Sequence, residues 1–211
     1  MITIVGCNKG GAGKSTTATN IATGLALQGA DVCFVDADPQ RSSAEWHAER
    51  EAMGLKPGFT LIEKLGAITS TLRSLDSRFD HVIVDVAGRN SRELVTGILA
   101  AHQVIAPHQC SQFDLNTMGE LQDQLLVARD YNPDLRVRIY HALASTHAKV
   151  KDKEREEFLG YVAEFPEFEV LSAIGYSRKI YKDAASQGRS VLELGKNEGA
   201  DEIAALLKEV F

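Results

Sequence analysis

The feature that most constrains the fold is a glycine-rich segment near the start of the chain. It reads Lys-Gly-Gly-Ala-Gly-Lys-Ser-Thr over residues 9–16 and directly follows an apolar run at residues 2–6. Glycines permit the dihedral angles and the close approach with which a turn directs several backbone N–H groups at one anion. The helical pattern that follows points the positive end of its dipole at the same anion. The sequence therefore predicts a phosphate-binding loop between a buried strand and a helix.

Two lysines and a hydroxyl group define the expected chemistry of this loop. Residues 8–15 match the P-loop consensus if Asn8 replaces its first glycine, so that Lys14 reaches the β- and γ-phosphates and the Ser15 hydroxyl binds Mg²⁺. Since Lys14 already serves its own nucleotide, Lys9 can point toward a nucleotide held by a second copy of the chain. The alternatives are a turn that binds nothing and a solvated Lys9. We predict that a nucleoside triphosphate contacts Lys9, Gly10, Gly11, Ala12, Gly13, Lys14, Ser15 and Thr16.

Strand-like β-branched runs alternate with helical patterns along all 211 residues. Strands are expected at residues 2–5, 32–35, 59–63, 81–84, 103–107, 137–143 and 168–172. Helices are expected at residues 14–28, 42–53, 68–75, 118–131, 151–165 and 201–210. This alternation predicts a three-layer, doubly wound, mostly parallel sheet with helices on both faces. The length suits one well-packed domain, and no linker or repeat interrupts it, so residues 1–211 are predicted to form a single domain.

Acidic residues follow two of the predicted strands. Asp36 and Asp38 lie within Val-Asp-Ala-Asp-Pro-Gln, and Asp85 ends the run Val-Ile-Val-Asp. The carboxyl ends of parallel strands open onto the crevice where such sheets bind ligands. We expect Asp85 to hold Mg²⁺ opposite Ser15, because a buried carboxylate needs a cation to offset its desolvation. The alternative is that Asp38 and Pro39 simply form a turn at the start of a helix.

These motifs resemble those of the ParA/MinD family of ATPases, whose deviant phosphate loop carries a second lysine that crosses a dimer interface. KGGAGKST, DADPQ and VIVD occur in the family's order and spacing, and the likeness covers most of the chain. The resemblance implies a Mg²⁺-dependent ATPase that forms a homodimer around ATP and separates after hydrolysis. It implies catalytic roles for Lys9 across the interface, for Lys14, and for Asp38, which would orient the attacking water. It further implies that Asp36 organises the Mg²⁺ shell completed by Ser15 and Asp85.

Within the family the likeness is greatest to short plasmid-partition ParA proteins of the ParF type, because Val-Ala-Gly-Arg follows Asp85 at residues 86–89. Since the first strand begins the chain, we expect a ParB- or ParG-like partner to bind the operator and to stimulate hydrolysis. The resemblance implies partition of plasmid or chromosomal DNA by a cytoplasmic, nucleoid-associated protein. Alternatives are a relative that positions a protein cargo on the nucleoid and a MinD-like membrane-cycling ATPase. The acidic segment at residues 199–211 disfavours membrane binding, which would need a basic amphipathic helix.

Basic residues form two groups in a chain of net charge −6. The group at residues 147–155 is interleaved with acids, which is typical of a solvated helix face. The second group contains Arg178, Lys179, Lys182 and Arg189. Non-specific DNA binding needs only phosphate contacts, so we expect the second group to contact DNA in the ATP-bound dimer. A solvated surface is the alternative here as well.

Three further segments give weaker expectations. By resemblance, residues 109–114 lie near the nucleotide and the dimer interface, although Asp114 is equally well explained as a helix N-cap. The Asn-Arg pair with which the family often contacts the base is absent after residues 142–146, so adenine selectivity is implied by resemblance alone. Residues 174–191 resemble the family's adenine-facing element. Cys7, Cys33 and Cys110 have no metal-ligand spacing and are expected to be reduced thiols.

Overall fold

The computed structural model describes residues 1–88 and 91–211, with the backbone but not the side chains of residues 112–116. Seven strands alternate with helices in this part of the chain. The strands are β1 Ile2–Val5, β2 Val32–Ala37, β3 Thr60–Glu63, β4 His81–Val86, β5 Gln103–His108, β6 Arg136–Ala144 and β7 Glu169–Tyr176. The helices are α1 Lys14–Leu27, α2 Ser42–Ala52, α3 Thr69–Asp76, α4 Arg92–Ile98, α5 Gln112–Arg129, α6 Lys151–Val162, α7 Lys179–Ala185 and α8 Glu198–Val210, with a 3₁₀ turn at Val191–Glu193 before α8.

The strands form one sheet in the order β3-β2-β4-β1-β5-β6-β7, and every neighbouring pair is parallel. The predicted doubly wound sheet is therefore confirmed, and it is parallel throughout. The central strands β1 and β4 are almost wholly buried because helices cover both faces, which explains their unbroken apolar runs. Residues of α3 to α6 pack on one face, and residues of α1, α7 and α8 pack on the other.

The described elements differ from the predicted ones at the start of α5 and at the end of the edge strand β7. The helix α5 begins earlier than predicted, with Ser111 as its N-cap, so Asp114 lies inside the first turn and the N-cap interpretation of Asp114 is wrong. The edge strand β7 continues to Tyr176, four residues past its predicted end. The prediction stopped early because the exposure of this strand alternates and it has no continuous apolar run. Among the residues described, no helix is long and apolar enough to span a membrane.

Candidate nucleotide-binding site

The predicted phosphate loop occupies the carboxyl end of β1 and leads directly into α1. Gly11 and Gly13 have φ of 73° and 86°, a left-handed conformation that glycine adopts without strain. Gly13 caps α1, and neither a capping side chain nor an acidic residue neutralises the first turn. The Lys14 ammonium lies 2.7 Å from the Lys9 carbonyl oxygen, to which it donates a hydrogen bond across the loop. A buried cation, glycine turns and a helix N-terminus thus converge as anion binding requires.

A cleft of about 840 Å³ brings the loop together with Asp38. From the predicted set it is lined by Lys9, Gly10, Gly11, Gly13, Lys14, Ser15, Thr16, Asp38 and Lys182. Ala12 is fully buried beneath the loop rather than exposed in the cleft. The lining also contains Gly88, which packs against the phosphate loop: a Cβ atom there would stand 3.1 Å from the Lys9 carbonyl carbon. This close approach explains the glycine after β4; Arg89, the next residue of that predicted motif, lies outside the described residues.

Asp36 is buried at the end of β2 and holds the following loop in place. Its Oδ1 accepts a hydrogen bond from the Asp38 backbone N–H at 3.0 Å, and its Oδ2 accepts one from the Ala44 N–H at 2.7 Å. Burial raises the pKa of Asp36, while these two N–H groups favour its ionised form. Both oxygens thus already accept backbone N–H groups, one from the loop after β2 and one from the first turn of α2. A direct role of Asp36 in the Mg²⁺ shell stays a prediction.

Asp85 is the neighbour of Asp36 across the β2–β4 pair and is completely buried. Its Oδ2 accepts a hydrogen bond from the Ser43 hydroxyl at 2.7 Å. Burial raises the pKa of Asp85 to about 7, and the nearby hydroxyls of Ser15 and Ser43 and the charge of Lys14 oppose this shift. Its Oδ1 accepts no hydrogen bond from any residue that the structure describes. A buried carboxylate oxygen beside the Ser15 hydroxyl fits the hard oxygen ligands that Mg²⁺ prefers.

The loop after β5 contacts the phosphate loop. Gln109 Nε2 donates a hydrogen bond to the Gly11 carbonyl at 3.0 Å, and Lys9 Nζ donates one to the Ser111 hydroxyl at 3.3 Å. Gln109 and Ser111 therefore lie beside the phosphate loop, and the interface role of residues 109–114 stays a prediction. In the single chain, Lys9 thus contacts a residue of its own subunit. The side chains of residues 112–114, included in the interface prediction, lie outside the described part of the chain.

A second pocket adjoins the cleft on the side of β6 and β7. Tyr176, Tyr181 and Leu143 line it together with Thr16 and Thr17 of α1. Leu143 has a φ of 55°, rare for a branched residue, where the β6–β7 register shifts between His141 and Ala144. Sequence reasoning missed Leu143 because this conformation arises from strand pairing. It missed Ser43 too, although a hydroxyl in the first turn after the Asp-Pro loop was a usable signal.

The four residues predicted to contact DNA fall into different surroundings. Arg178 lines the second pocket, lies over the Tyr176 ring at 5.4 Å, and pairs with Glu198 and Glu202. Lys182 lines both the cleft and the second pocket. Lys179 is exposed on α7 and forms an ion pair with Asp183. The backbone carbonyl of Arg189 accepts a hydrogen bond from the Trp46 indole. Their contact with DNA stays a prediction. The three cysteines form no disulfide.

A parallel sheet whose first strand leads into a glycine-rich loop with Lys14, beside a buried Asp85 on a neighbouring strand, defines a P-loop nucleotide-binding protein. A model of the CobQ/CobB/MinD/ParA nucleotide binding domain family matches residues 2–198. The chain therefore belongs to this family, which includes the ParA and MinD ATPases, and the predicted family is confirmed.

Curated relatives include partition and positioning proteins. The chain is 32% identical to protein ParA of Rhizobium radiobacter over 147 residues, which span 69% of this chain and 64% of that protein. It is 29% identical to the maintenance of carboxysome distribution protein A (McdA) of Halothiobacillus neapolitanus over 96% of this chain and 93% of that protein.

Solved structures share the fold at lower identity. An ATP complex of McdA from Cyanothece superposes with a TM-score of 0.81 and 18% identity, over 99% of this chain and 95% of that one. The cell division ATPase MinD of Pyrococcus furiosus gives a TM-score of 0.75 and 13% identity, over 99% of this chain and 97% of that one. At these identities the similarity shows the fold alone.

Proposed function

We propose that the chain is a ParA-type partition ATPase that works as an ATP-dependent homodimer and segregates plasmid or chromosomal DNA. The observation that carries this proposal is the position of Lys9, which lines the same cleft as Lys14 and Asp38. A phosphate loop contacts the β- and γ-phosphates of its own nucleotide with one lysine, here Lys14, so the additional cation Lys9 is suited to a nucleotide in a facing subunit. Relatives named ParA support the same assignment.

The residues of the cleft divide the work of hydrolysis. Lys14 and the loop N–H groups bind the phosphates, while Ser15 and Asp85 would hold Mg²⁺, which neutralises charge on the β- and γ-oxygens when bound. Asp38 stands at the cleft wall, where its carboxylate can orient a water for attack on the γ-phosphate. Its Oδ1 accepts a hydrogen bond from the Gln40 N–H at 2.8 Å, which fixes the direction of the carboxylate. Catalysis of this kind is mainly positioning and electrostatic stabilisation.

The pocket between α1, β6 and β7 would hold the base and ribose. Its lining of Leu143, Tyr176 and Tyr181 gives an apolar, aromatic surface beside the phosphate loop, as nucleotide pockets require. In the ATP state we expect the dimer to bind DNA non-specifically on the nucleoid and a ParB- or ParG-like protein to stimulate hydrolysis. No membrane partner is proposed.

Positioning of a protein cargo is a second candidate function. It is favoured by the McdA relatives, one of which matches 96% of this chain and is named for carboxysome distribution. A plasmid-stability assay in the native host separates the two candidates. Loss of plasmid retention on deletion of the gene supports partition, whereas normal retention with mislocalised protein foci supports cargo positioning.

Light scattering and DNA retardation, each with ADP and with a non-hydrolysable ATP analogue, test the proposed switch. We expect the wild-type protein to double its mass and retard DNA with the ATP analogue only. Lys14→Ala should abolish nucleotide binding, whereas Lys9→Ala should retain most of it and lose the dimer. Lys208→Ala, which removes an exposed lysine from α8, is the matched control. A Lys9→Ala protein that dimerises like the control would contradict the proposal.

A further inference from the structure

Ser43 connects the start of α2 to the buried carboxylate of β4. The Ser43 side chain is 1% exposed, and its hydroxyl donates to Asp85 Oδ2 at 2.7 Å. No sequence motif assigned it a function. The Ser43 hydroxyl is buried and donates its hydrogen bond to a carboxylate that we expect to bind a cation. Outer-shell partners that orient metal ligands make contacts of this kind.

The helix that carries Ser43 is held in a fixed position by the other buried acid. Ala44 N–H, one residue further along α2, donates to Asp36 Oδ2 at 2.7 Å. The two carboxylates are direct neighbours in the β2–β4 register. One helical turn of α2 therefore donates to both acids, through a backbone group to Asp36 and through a side chain to Asp85. The Ser43 backbone consequently cannot shift away from Asp85 without also breaking the Asp36 contact.

The two oxygens of Asp85 have different surroundings. Ser43 occupies Oδ2, whereas Oδ1 is buried and accepts no hydrogen bond among the described residues. A carboxylate with one anchored oxygen has a fixed rotation about its Cβ–Cγ bond. The anchored rotamer leaves Oδ1 without a hydrogen-bond donor among the described residues, on a carboxylate that lies near the Ser15 hydroxyl of the phosphate loop.

We propose that Ser43 is a positioning residue for the Mg²⁺ site: its hydroxyl orients the Asp85 carboxylate so that Oδ1 faces the cation. This inference rests on the proposed function, because it requires a Mg²⁺–nucleotide complex at this site. It adds a residue on α2 to those of the phosphate loop and β4 that would determine cation affinity.

Thermal unfolding at saturating ADP, titrated with Mg²⁺, tests the inference without turnover. Ser43→Ala should raise the Mg²⁺ concentration for the half-maximal shift by about tenfold, the lower range for loss of an outer-shell partner. The shift produced by ADP without Mg²⁺ should match that of the wild type. Ser43→Thr, which keeps a hydroxyl, should stay within about threefold of the wild type. Ser42→Ala, at the exposed neighbouring position, is the matched control.

Each shift is measured relative to the same variant without ligand, so a general loss of stability in Ser43→Ala does not affect the comparison. A Ser43→Ala protein with the wild-type Mg²⁺ midpoint would overturn the inference and leave the proposed function standing. Equal losses in Ser43→Thr and Ser43→Ala would overturn it as well, because the hydroxyl would not be the cause. A wild-type protein with no Mg²⁺-dependent shift would instead contradict the proposed function, and the inference with it.

Discussion

Asp85 is a residue at which stability and cation binding conflict. Burial raises its pKa to about 7, so the folded chain binds a proton that the unfolded chain releases at a much lower pH. A carboxyl group with a raised folded-state pKa contributes its full stability below the unfolded-state pKa. That contribution is lost as the pH rises through the folded-state value. Without a cation, ionisation of Asp85 therefore lowers the stability of the fold progressively between about pH 4 and pH 7, and the full loss remains at higher pH.

The change Asp85→Asn should remove this pH dependence. At pH 8 we expect the nucleotide-free variant to be more stable than the wild type by about 1–3 kcal/mol, with the difference shrinking toward pH 4. Urea unfolding at pH 4, 6 and 8 measures it, with the exposed Asp134→Asn as control. The same variant should lose the Mg²⁺-dependent shift with ADP. A stability difference that stays constant with pH would contradict the raised pKa.

At the scale of elements, α2 is fastened to the segment that precedes α8. Arg50 forms a buried, bidentate ion pair with Glu193 and donates to the Gly188 carbonyl at 3.2 Å. The backbones of the two segments lie close together, because a Cβ atom on Gly188 would stand 2.3 Å from the backbone nitrogen of Arg50. The helix that carries Ser43 is thereby supported from the C-terminal side of the chain.

Gly188→Ala should separate these elements. Gly188 has a φ of 62°, and Gly195 has a φ of 73° with open space around its Cα, so Gly195→Ala is a matched control for the strain of the left-handed conformation. We expect Gly195→Ala to lower the free energy of unfolding by about 1 kcal/mol and Gly188→Ala to lower it by at least about 2 kcal/mol more. Urea unfolding measures both. Equal losses would show that the contact with Arg50 relaxes freely.

The elements that the sequence predicts well are those with a strong local signal. The apolar runs of β1 and β4 and the glycine after α1 placed these segments to within two residues. The seven-residue helices α4 and α7 escaped prediction because they are too short to show a helical period, although Ser91 caps α4 through the Leu94 N–H. The pairing of Ser43 with Asp85 and the conformation of Leu143 depend on contacts between distant segments. The position of Ser43 after the Asp-Pro loop marks it as a candidate, but no local pattern identifies Asp85 as its partner.

At the scale of the whole molecule, the net charge of −6 means that the proposed DNA binding would require a local basic surface. The acids beside Arg178 and Lys179 offset part of the positive charge of the predicted group. Dimerisation would double whatever charge remains, and each phosphate contact contributes separately to affinity.

The double variant Lys179→Glu/Arg189→Glu tests this surface. We expect its ATP-state dimer to bind DNA at least about tenfold more weakly at constant salt, with a shallower salt dependence. Lys151→Glu/Lys153→Glu, which makes the same charge change on the exposed face of α6, should stay within about twofold. DNA retardation under conditions of matched dimer content measures both. A larger loss in the α6 variant would move the DNA surface to α6.

The parallel sheet has a consequence for how many copies can assemble. Because the strands share one direction, the loops after β1, β2, β4 and β5 all emerge at the same edge of the sheet. Two copies related by a two-fold axis can contact each other through this edge. That contact covers the edge in both partners. Such an assembly is self-limiting and stops at two subunits. Any growth into longer polymers has to use a different surface, and that growth can then be blocked by mutation without altering the dimer.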